Sequence, residues 1–104
     1  MKMILAIINA DDAGKVTTAL VEHGHRVTRI ATEGGWLRKQ NTSLLLCVDD
    51  DKVDDVTHVL KSTARMRTTE IFMTAGEGGV SLPFNIESGG ATVFVLNVER
   101  LEVV

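Results

Sequence analysis

The connection between two strand-like runs holds the residues best suited to binding a ligand. It contains the glycine pair Gly34 and Gly35, the only tryptophan, Trp36, and the cations Arg38 and Lys39. The indole face can stack on a base, while backbone amides exposed by glycine and the nearby cations can neutralise a phosphate. Loops on a rigid scaffold are where binding residues collect. These residue types favour a nucleotide site, although Trp36 capping a hydrophobic core is an alternative interpretation.

Polar residues on either side of this connection fit the same chemistry. Arg26 and Thr28 are two positions apart on a strand-like run, so both side chains point to one face. Asn41 closes the connection and carries both an amide donor and a carbonyl acceptor for a base edge. The alternative makes Arg26 a surface charge, Thr28 a strand former and Asn41 a turn residue. Spacing alone leaves both interpretations open.

Metal chemistry has little support in the sequence. His23, His25 and His58 have no cysteine or carboxylate at a recognisable ligand spacing, so we expect polar surface residues and no metal site. The acidic run at 49–51 lacks the glycine and distal glutamate of a calcium-binding loop. It is better suited to starting a helix, because carboxylates favour the positive end of the helix dipole.

No catalytic set appears either, so we expect a protein that is not an enzyme. The serines lack a histidine and an acid in a plausible arrangement, and Cys47 lies in an apolar strand, where a thiol is usually an inert small hydrophobe. The glycine-rich stretch at 76–79 is not a P-loop, because no Gly-Lys-Ser/Thr follows it.

The overall composition limits the class of protein. A chain of 104 residues forms one domain, and 44% hydrophobic with 24% charged residues is ordinary for a folded one. The net charge of -3 gives no reason to expect binding to a nucleic-acid polymer or an anionic membrane. One cysteine excludes an internal disulfide, and the apolar run near Met1 is too short to span a membrane. We therefore expect a cytoplasmic protein without a cofactor.

Hydrophobic periodicity predicts the elements that must position these residues. Helices are predicted from Asp11 or Asp12 to Glu22 and over 52–65, and strands over 2–9, 26–32, 43–48, 91–98 and, with less regular patterning, 68–75. Gly24 is placed to end the first helix. The order is that of an α+β, ferredoxin-like βαββαβ domain spanning 1–104. The glycine-rich stretch predicts a flexible loop around 67–88.

The strands over 2–9, 43–48 and 91–98 are apolar on consecutive positions. A strand buried on one face alternates, whereas a strand buried on both faces does not. Two helices can cover only one face of the sheet. The pattern therefore predicts an obligate oligomer, because burying each Leu or Ile side chain contributes about 1.5–3 kcal/mol of stabilising free energy, which is lost when the side chain stays exposed.

Several separate blocks, in this order, resemble the cyclic di-AMP receptor proteins of the P-II-like superfamily. The blocks are RVT at 26–28, ATEGGWLR at 31–38 with NT at 41–42, VDD at 53–55 and GGATVFVL at 89–96. The resemblance implies a ferredoxin-like homotrimer with the dinucleotide between neighbouring subunits. It also implies a short connection after the second strand and a longer flexible loop after the second helix.

The resemblance assigns roles to individual residues. Arg26 would contact phosphate and Phe94 would form an apolar wall, while Cys47, where the family often has glycine, adds a side chain that narrows the pocket. The family often has asparagine at the position of Gly24 and usually phenylalanine at that of the stacking tryptophan. The residues implied around an adenine and its ribose are Thr28, Gly35, Trp36, Leu37 and Asn41.

The function expected from this resemblance is non-catalytic signal transduction. Cyclic di-AMP would bind at the clefts between trimer subunits, and ordering of the loop would transmit the signal to a downstream protein. A P-II-like sensor of another adenine nucleotide or small anion is one alternative. A metal-ion tolerance protein on a similar trimeric fold, using His23 and His25, is another. An acylphosphatase-like enzyme is the least favoured.

Overall fold

The computed structural model describes residues 1–31, 41–75 and 79–104. Short 3-10 turns at Ala10–Asp12 and Asp50–Lys52 lead into the two helices. The elements are β1 (Lys2–Asn9), α1 (Ala13–Glu22), β2 (Thr28–Ala31), β3 (Asn41–Val48), α2 (Val53–Thr63), β4 (Arg67–Ala75), β5 (Val80–Ser88) and β6 (Ala91–Asn97). Within these ranges no helix has the length and apolar character needed to cross a membrane.

Four strands form the central sheet, in the order β2-β3-β1-β6. All three pairings are antiparallel, and β1 lies in the middle, between β3 and β6. With two helices connecting these strands, the architecture is mixed α+β and compatible with the predicted ferredoxin-like fold. The predicted and observed elements of this sheet agree to within two residues at each end.

The strands β4 and β5 form a separate two-stranded hairpin. Arg67 pairs with Ser88 at its base and Ala75 with Val80 at its far end. The sequence predicts a strand only over 68–75, within a flexible loop around 67–88. The strand β5 was therefore not predicted. Pro83 pairs with Phe72 inside this hairpin, which is tolerated because each strand of a two-stranded ribbon has an outer edge that needs no donor.

The hydrophobic core lies between the sheet and the two helices. Burial alternates along β1, where Ile4, Ala6 and Ile8 are buried and their neighbours are only partly so. This alternation shows that one face of the sheet carries the helices. The same core contains Val16 and Leu20 of α1, Leu44, Leu46 and Val48 of β3, and Val56, Val59 and Leu60 of α2.

The opposite face of the sheet, here called the open face, is also largely apolar. Directly opposed residues of an antiparallel sheet share a face, so the registers show which side chains meet there. The open face carries Thr28 and Ile30 of β2, Ser43, Leu45 and Cys47 of β3, Met3, Leu5 and Ile7 of β1, and Thr92, Phe94 and Leu96 of β6. Phe94 and Leu96 are 41% and 43% exposed. Both helices lie on the other side.

Candidate functional site

The structure describes five of the eight predicted ligand-binding residues. Gly35, Trp36 and Leu37 lie outside the described residues, so their predicted roles stay predictions. The remaining five belong to three strands and the connection before β2. They are Arg26, Thr28, Asn41, Cys47 and Phe94.

Thr28 and Phe94 lie at the two ends of one row across the open face. Thr28 pairs with Leu45, which pairs with Leu5, which pairs with Phe94. Both end residues are exposed. Three strand spacings separate them, so their backbones are about 15 Å apart.

Asn41 and Cys47 occupy the same face of β3 at its two ends. They are an even number of residues from Leu45, which places all three side chains on the open face. Six residues separate the two ends, or about 20 Å along the strand. Cys47 lies in an apolar strand as expected, but its thiol is exposed. Four of the described site residues, all but Arg26, therefore share one face, while a single chain leaves them spread across it.

A cavity of ≈ 380 Å³ lies at the Cys47 end of this face. Its lining includes Arg26, Cys47 and Lys52, together with His23 and His25 from the connection between α1 and β2. Arg26 is exposed, and among the described residues its guanidinium has no hydrogen-bond or ion-pair partner. An unpaired guanidinium in an open cavity is suited to a phosphate, which it can contact with two parallel N–H donors.

The amino terminus adds one more charge at the rim of this cavity. The amino group of Met1 lies 2.8 Å from Oδ1 of Asp50. This hydrogen bond and the charge of the amino group lower the pKa of Asp50. Asp49 also lines this cavity, so its wall carries a carboxylate as well as the cations Arg26 and Lys52.

The end of α1 positions Arg26. Gly24 has φ +85°, the left-handed conformation that glycine adopts readily, and the N–H of His25 donates to the carbonyl oxygen of Leu20 at 3.0 Å. These are features of a glycine-terminated helix, so the predicted stop at Gly24 is confirmed. The chain then turns into β2 with Val27 packed against the core.

A sequence model of the cyclic-di-AMP receptor matches residues 1–104, the full length of the chain. The chain belongs to the cyclic-di-AMP receptor family. The resemblance carried by the blocks around Arg26, Asn41 and Gly89 is therefore confirmed. Membership in a receptor family points to a binding protein rather than an enzyme.

A solved structure supports the fold of this receptor-family chain independently. It is the crystal structure of a functionally unknown protein from Pediococcus pentosaceus ATCC 25745. The two chains are 28% identical, the match covers 99% of this chain and 96% of the other, and the TM-score is 0.74. The fold thus extends to a relative that shares little more than a quarter of its residues.

Two side-chain contacts near the candidate site were missed from the sequence. The first joins the α1–β2 connection to α2, since both His23 and His25 contact the carboxylate of Asp55. The two histidines are 30 or more residues from the carboxylate in the sequence. The acidic residues around the start of α2 include several aspartates that could equally be the partner. Nothing in the spacing distinguishes Asp55 from its neighbours.

The second contact holds the base of the hairpin. The Arg67 guanidinium donates to both oxygens of Asp12, at 3.0 and 3.3 Å. The sequence predicts Asp11 or Asp12 as the cap of α1, but the Asp12 side chain makes no capping bond and is almost fully buried against Arg67. The local cap is Asn9, whose side chain accepts from the N–H of Asp11 at 2.9 Å.

A second cavity, of ≈ 340 Å³, lies beside this hairpin base. Its lining includes Asn9, Asn41, Glu87, Gly89 and Gly90, so the Asn41 end of the open face also has an adjoining recess. Gly89 is required there, because a Cβ at its position would lie 2.4 Å from the carbonyl oxygen of Arg65, and its φ is +86°.

Metal binding finds no support in the described part of this receptor-family chain. Across 1–31, 41–75 and 79–104, no three His, Cys, Asp or Glu side chains are arranged to hold a metal ion. His23 and His25, the ligands that the tolerance-protein alternative requires, instead share a carboxylate at hydrogen-bonding distance.

Proposed function

We propose that this protein binds cyclic di-AMP at clefts between the subunits of a P-II-like homotrimer and acts in signal transduction without catalysis. The observation that carries the proposal is the shared face of Thr28, Asn41, Cys47 and Phe94, with Arg26 in the cavity at its Cys47 end. One chain leaves these residues up to about 20 Å apart on an open surface. A neighbouring subunit packed on that surface brings residues of two chains around one ligand.

The chemistry of the described residues suits a cyclic dinucleotide. Such a ligand has two adenines and two phosphodiesters. Arg26 supplies an exposed cation for a phosphate, and Phe94 supplies an exposed aromatic face for a base. Asn41 has the donor and acceptor that the edge of adenine requires.

The apolar character of the open face supports the oligomer. Phe94, Leu96 and Ile30 are each at least 40% exposed in the single chain, and they adjoin Leu5 and Leu45. A contiguous apolar patch of this kind is typical of an interface between proteins. Ring-forming contacts between copies of one chain would cover it and form clefts at each seam.

Transmission to a partner is assigned to the hairpin of β4 and β5. Its base lies beside the cavity that Asn41 lines, so a ligand at that end of the open face is close to the hairpin. We infer that binding changes the order or orientation of this segment, and that a downstream cytoplasmic protein recognises it.

Isothermal titration with cyclic di-AMP, ATP and cyclic di-GMP tests the proposal. We expect heat with the first ligand at one site per chain, and a mass of three chains of 11.3 kDa each by light scattering. Absence of heat with cyclic di-AMP would overturn the ligand assignment. A monomeric mass at the concentration of the titration would overturn the assignment of the site to subunit clefts.

A P-II-like sensor of another adenine nucleotide or small anion is the second candidate. The lining of the 380 Å³ cavity favours it, because Arg26, Lys52 and the amino terminus outnumber the one carboxylate there, Asp49, and would attract a phosphate of any nucleotide. Heat with ATP but not with cyclic di-AMP in the same titration would support this candidate.

A further inference from the structure

The connection between α1 and β2 is attached to α2 by a histidine–carboxylate cluster. Nε2 of His25 lies 2.8 Å from Oδ2 of Asp55, and Nδ1 of His23 lies 3.2 Å from both oxygens of the same carboxylate. Both ring N–H groups donate and the carboxylate accepts. One aspartate of α2 thus contacts two residues that precede Arg26.

His25 is the better anchored of the two histidines. Its side chain is 7% exposed, compared with 46% for His23. The Asp55 carboxylate is itself 40% exposed, so the stronger anchoring of His25 comes from its shorter contact and its mostly buried ring. The pKa of Asp55 is lowered, first by the hydrogen bond from His25 and less by that from His23, so the carboxylate stays charged at neutral pH.

The position of His25 gives this contact a consequence for the ligand. His25 lies directly after Gly24, whose left-handed backbone ends α1, and directly before Arg26. Val27 then packs against the core. The backbone that carries Arg26 is therefore fixed on one side by Val27 and on the other by the His25 side chain. Arg26 itself has no described contact that would orient it.

We propose that Asp55 is a positioning residue for the nucleotide site: through His25 it holds the backbone at Arg26 in the orientation that directs the guanidinium into the cavity shared with Cys47. This inference rests on the proposed function, in which Arg26 contacts a phosphate. Asp55 lies outside the lining of that cavity and does not need to touch the ligand.

The test compares the substitutions Asp55→Ala and Asp55→Asn with the matched control Asp54→Ala. Asp54 is the preceding residue of α2, is exposed and carries the same charge. Titration of cyclic di-AMP should show about tenfold weaker binding for Asp55→Ala, while Asp55→Asn, which keeps an acceptor for His25, should stay within about threefold of the wild type. Asp54→Ala should bind like the wild type.

A double-mutant cycle separates positioning from a general loss of stability. If Asp55 acts through Arg26, adding Asp55→Ala to Arg26→Ala should weaken binding by less than about twofold further. An undiminished tenfold loss in that background would overturn the proposal, as would equal binding by Asp55→Ala and Asp54→Ala.

Amide hydrogen exchange gives a readout that needs no ligand. Exchange over residues 24–28 should be faster in Asp55→Ala than in Asp54→Ala, with the rest of the sheet unchanged. If the wild type does not bind cyclic di-AMP, the proposed function fails and the exchange rates alone decide the positioning role. Equal exchange in the two variants would then overturn it.

Discussion

At the scale of single residues, Arg26 has the clearest expected effect on binding. Arg26→Ala removes an exposed guanidinium, unpaired among the described residues, from the cavity that Cys47 also lines. Charge-assisted hydrogen bonds contribute about 1.5–3 kcal/mol, so affinity for cyclic di-AMP should fall about ten- to a hundredfold in isothermal titration.

Arg29→Ala is the matched control for this substitution. Arg29 lies three residues further on, in β2, where it pairs with the buried Leu44 and so points away from the open face. Removing it deletes the same charge without touching the site. Equal losses of affinity in the two variants would show that general electrostatic attraction, and not a contact of Arg26, binds the phosphate.

Asp55 gives a prediction about acid stability. Its pKa is lowered in the folded protein, so the carboxylate stabilises the fold above the unfolded-state pKa of about 3.9, and this contribution is lost as pH falls through the folded pKa. Urea unfolding is measured at one protein concentration and at several pH values between 6 and 3. The free energy of unfolding should fall more steeply with decreasing pH for the wild type than for Asp55→Asn. Asp54→Asn should follow the wild type.

At the scale of elements, the sequence predicts the four-stranded sheet and both helices because their apolar periodicity is strong. The hairpin was only half predicted. The glycine-rich stretch at 76–79 and Pro83 are signals of irregular structure, and a two-stranded ribbon tolerates a proline such as Pro83 because it has no buried central strand. Nothing local to β5 shows that it pairs with β4.

The sequence predicts the arrangement of site residues only where those residues are close together in the chain. The two-residue spacing of Arg26 and Thr28 places them on one face, whereas the relation of Thr28 to Phe94 depends on the registers of three strand pairs. The Asp12–Arg67 and His25–Asp55 contacts join residues 55 and 30 positions apart. Such contacts are set by packing and not by sequence pattern.

The ion pair at the hairpin base belongs to this scale. Arg67→Ala leaves the nearly buried Asp12 carboxylate without its bidentate partner and should lower the free energy of unfolding by about 1–2 kcal/mol, less than for a fully buried pair because Arg67 is 44% exposed. Lys15→Ala is the control. Lys15 lies 3.7 Å from the same carboxylate and is 58% exposed, so its removal should change the free energy by less than about 1 kcal/mol. Similar losses for both would contradict an anchoring role for Arg67.

At the scale of the whole molecule, the open face should determine assembly. Leu96→Lys places a charge on that face beside Met3, where a neighbouring subunit would have to desolvate it. Light scattering should show three chains for the wild type and a smaller species for Leu96→Lys, with an unchanged far-ultraviolet circular dichroism spectrum.

Val21→Lys provides the comparison for this assembly test. Val21 is an apolar residue of α1 that is 57% exposed on the helix side of the molecule, so a charge there should leave the mass unchanged. Retention of the wild-type mass by Leu96→Lys would show that subunits meet elsewhere.

The pairing of β1 with β6 has a consequence for how the protein forms during synthesis. β6 aligns Asn97 with Lys2, and the two side chains are hydrogen bonded across 95 positions of sequence. Contacts of such high sequence separation form slowly, because nearly the entire chain must close into a loop before they contribute. β1 is therefore synthesised before β3 to β5 and meets its second neighbour only after all of these strands have emerged from the ribosome. Until then one edge of this apolar strand stays unpaired, which makes the nascent chain most prone to aggregation just before β6 arrives.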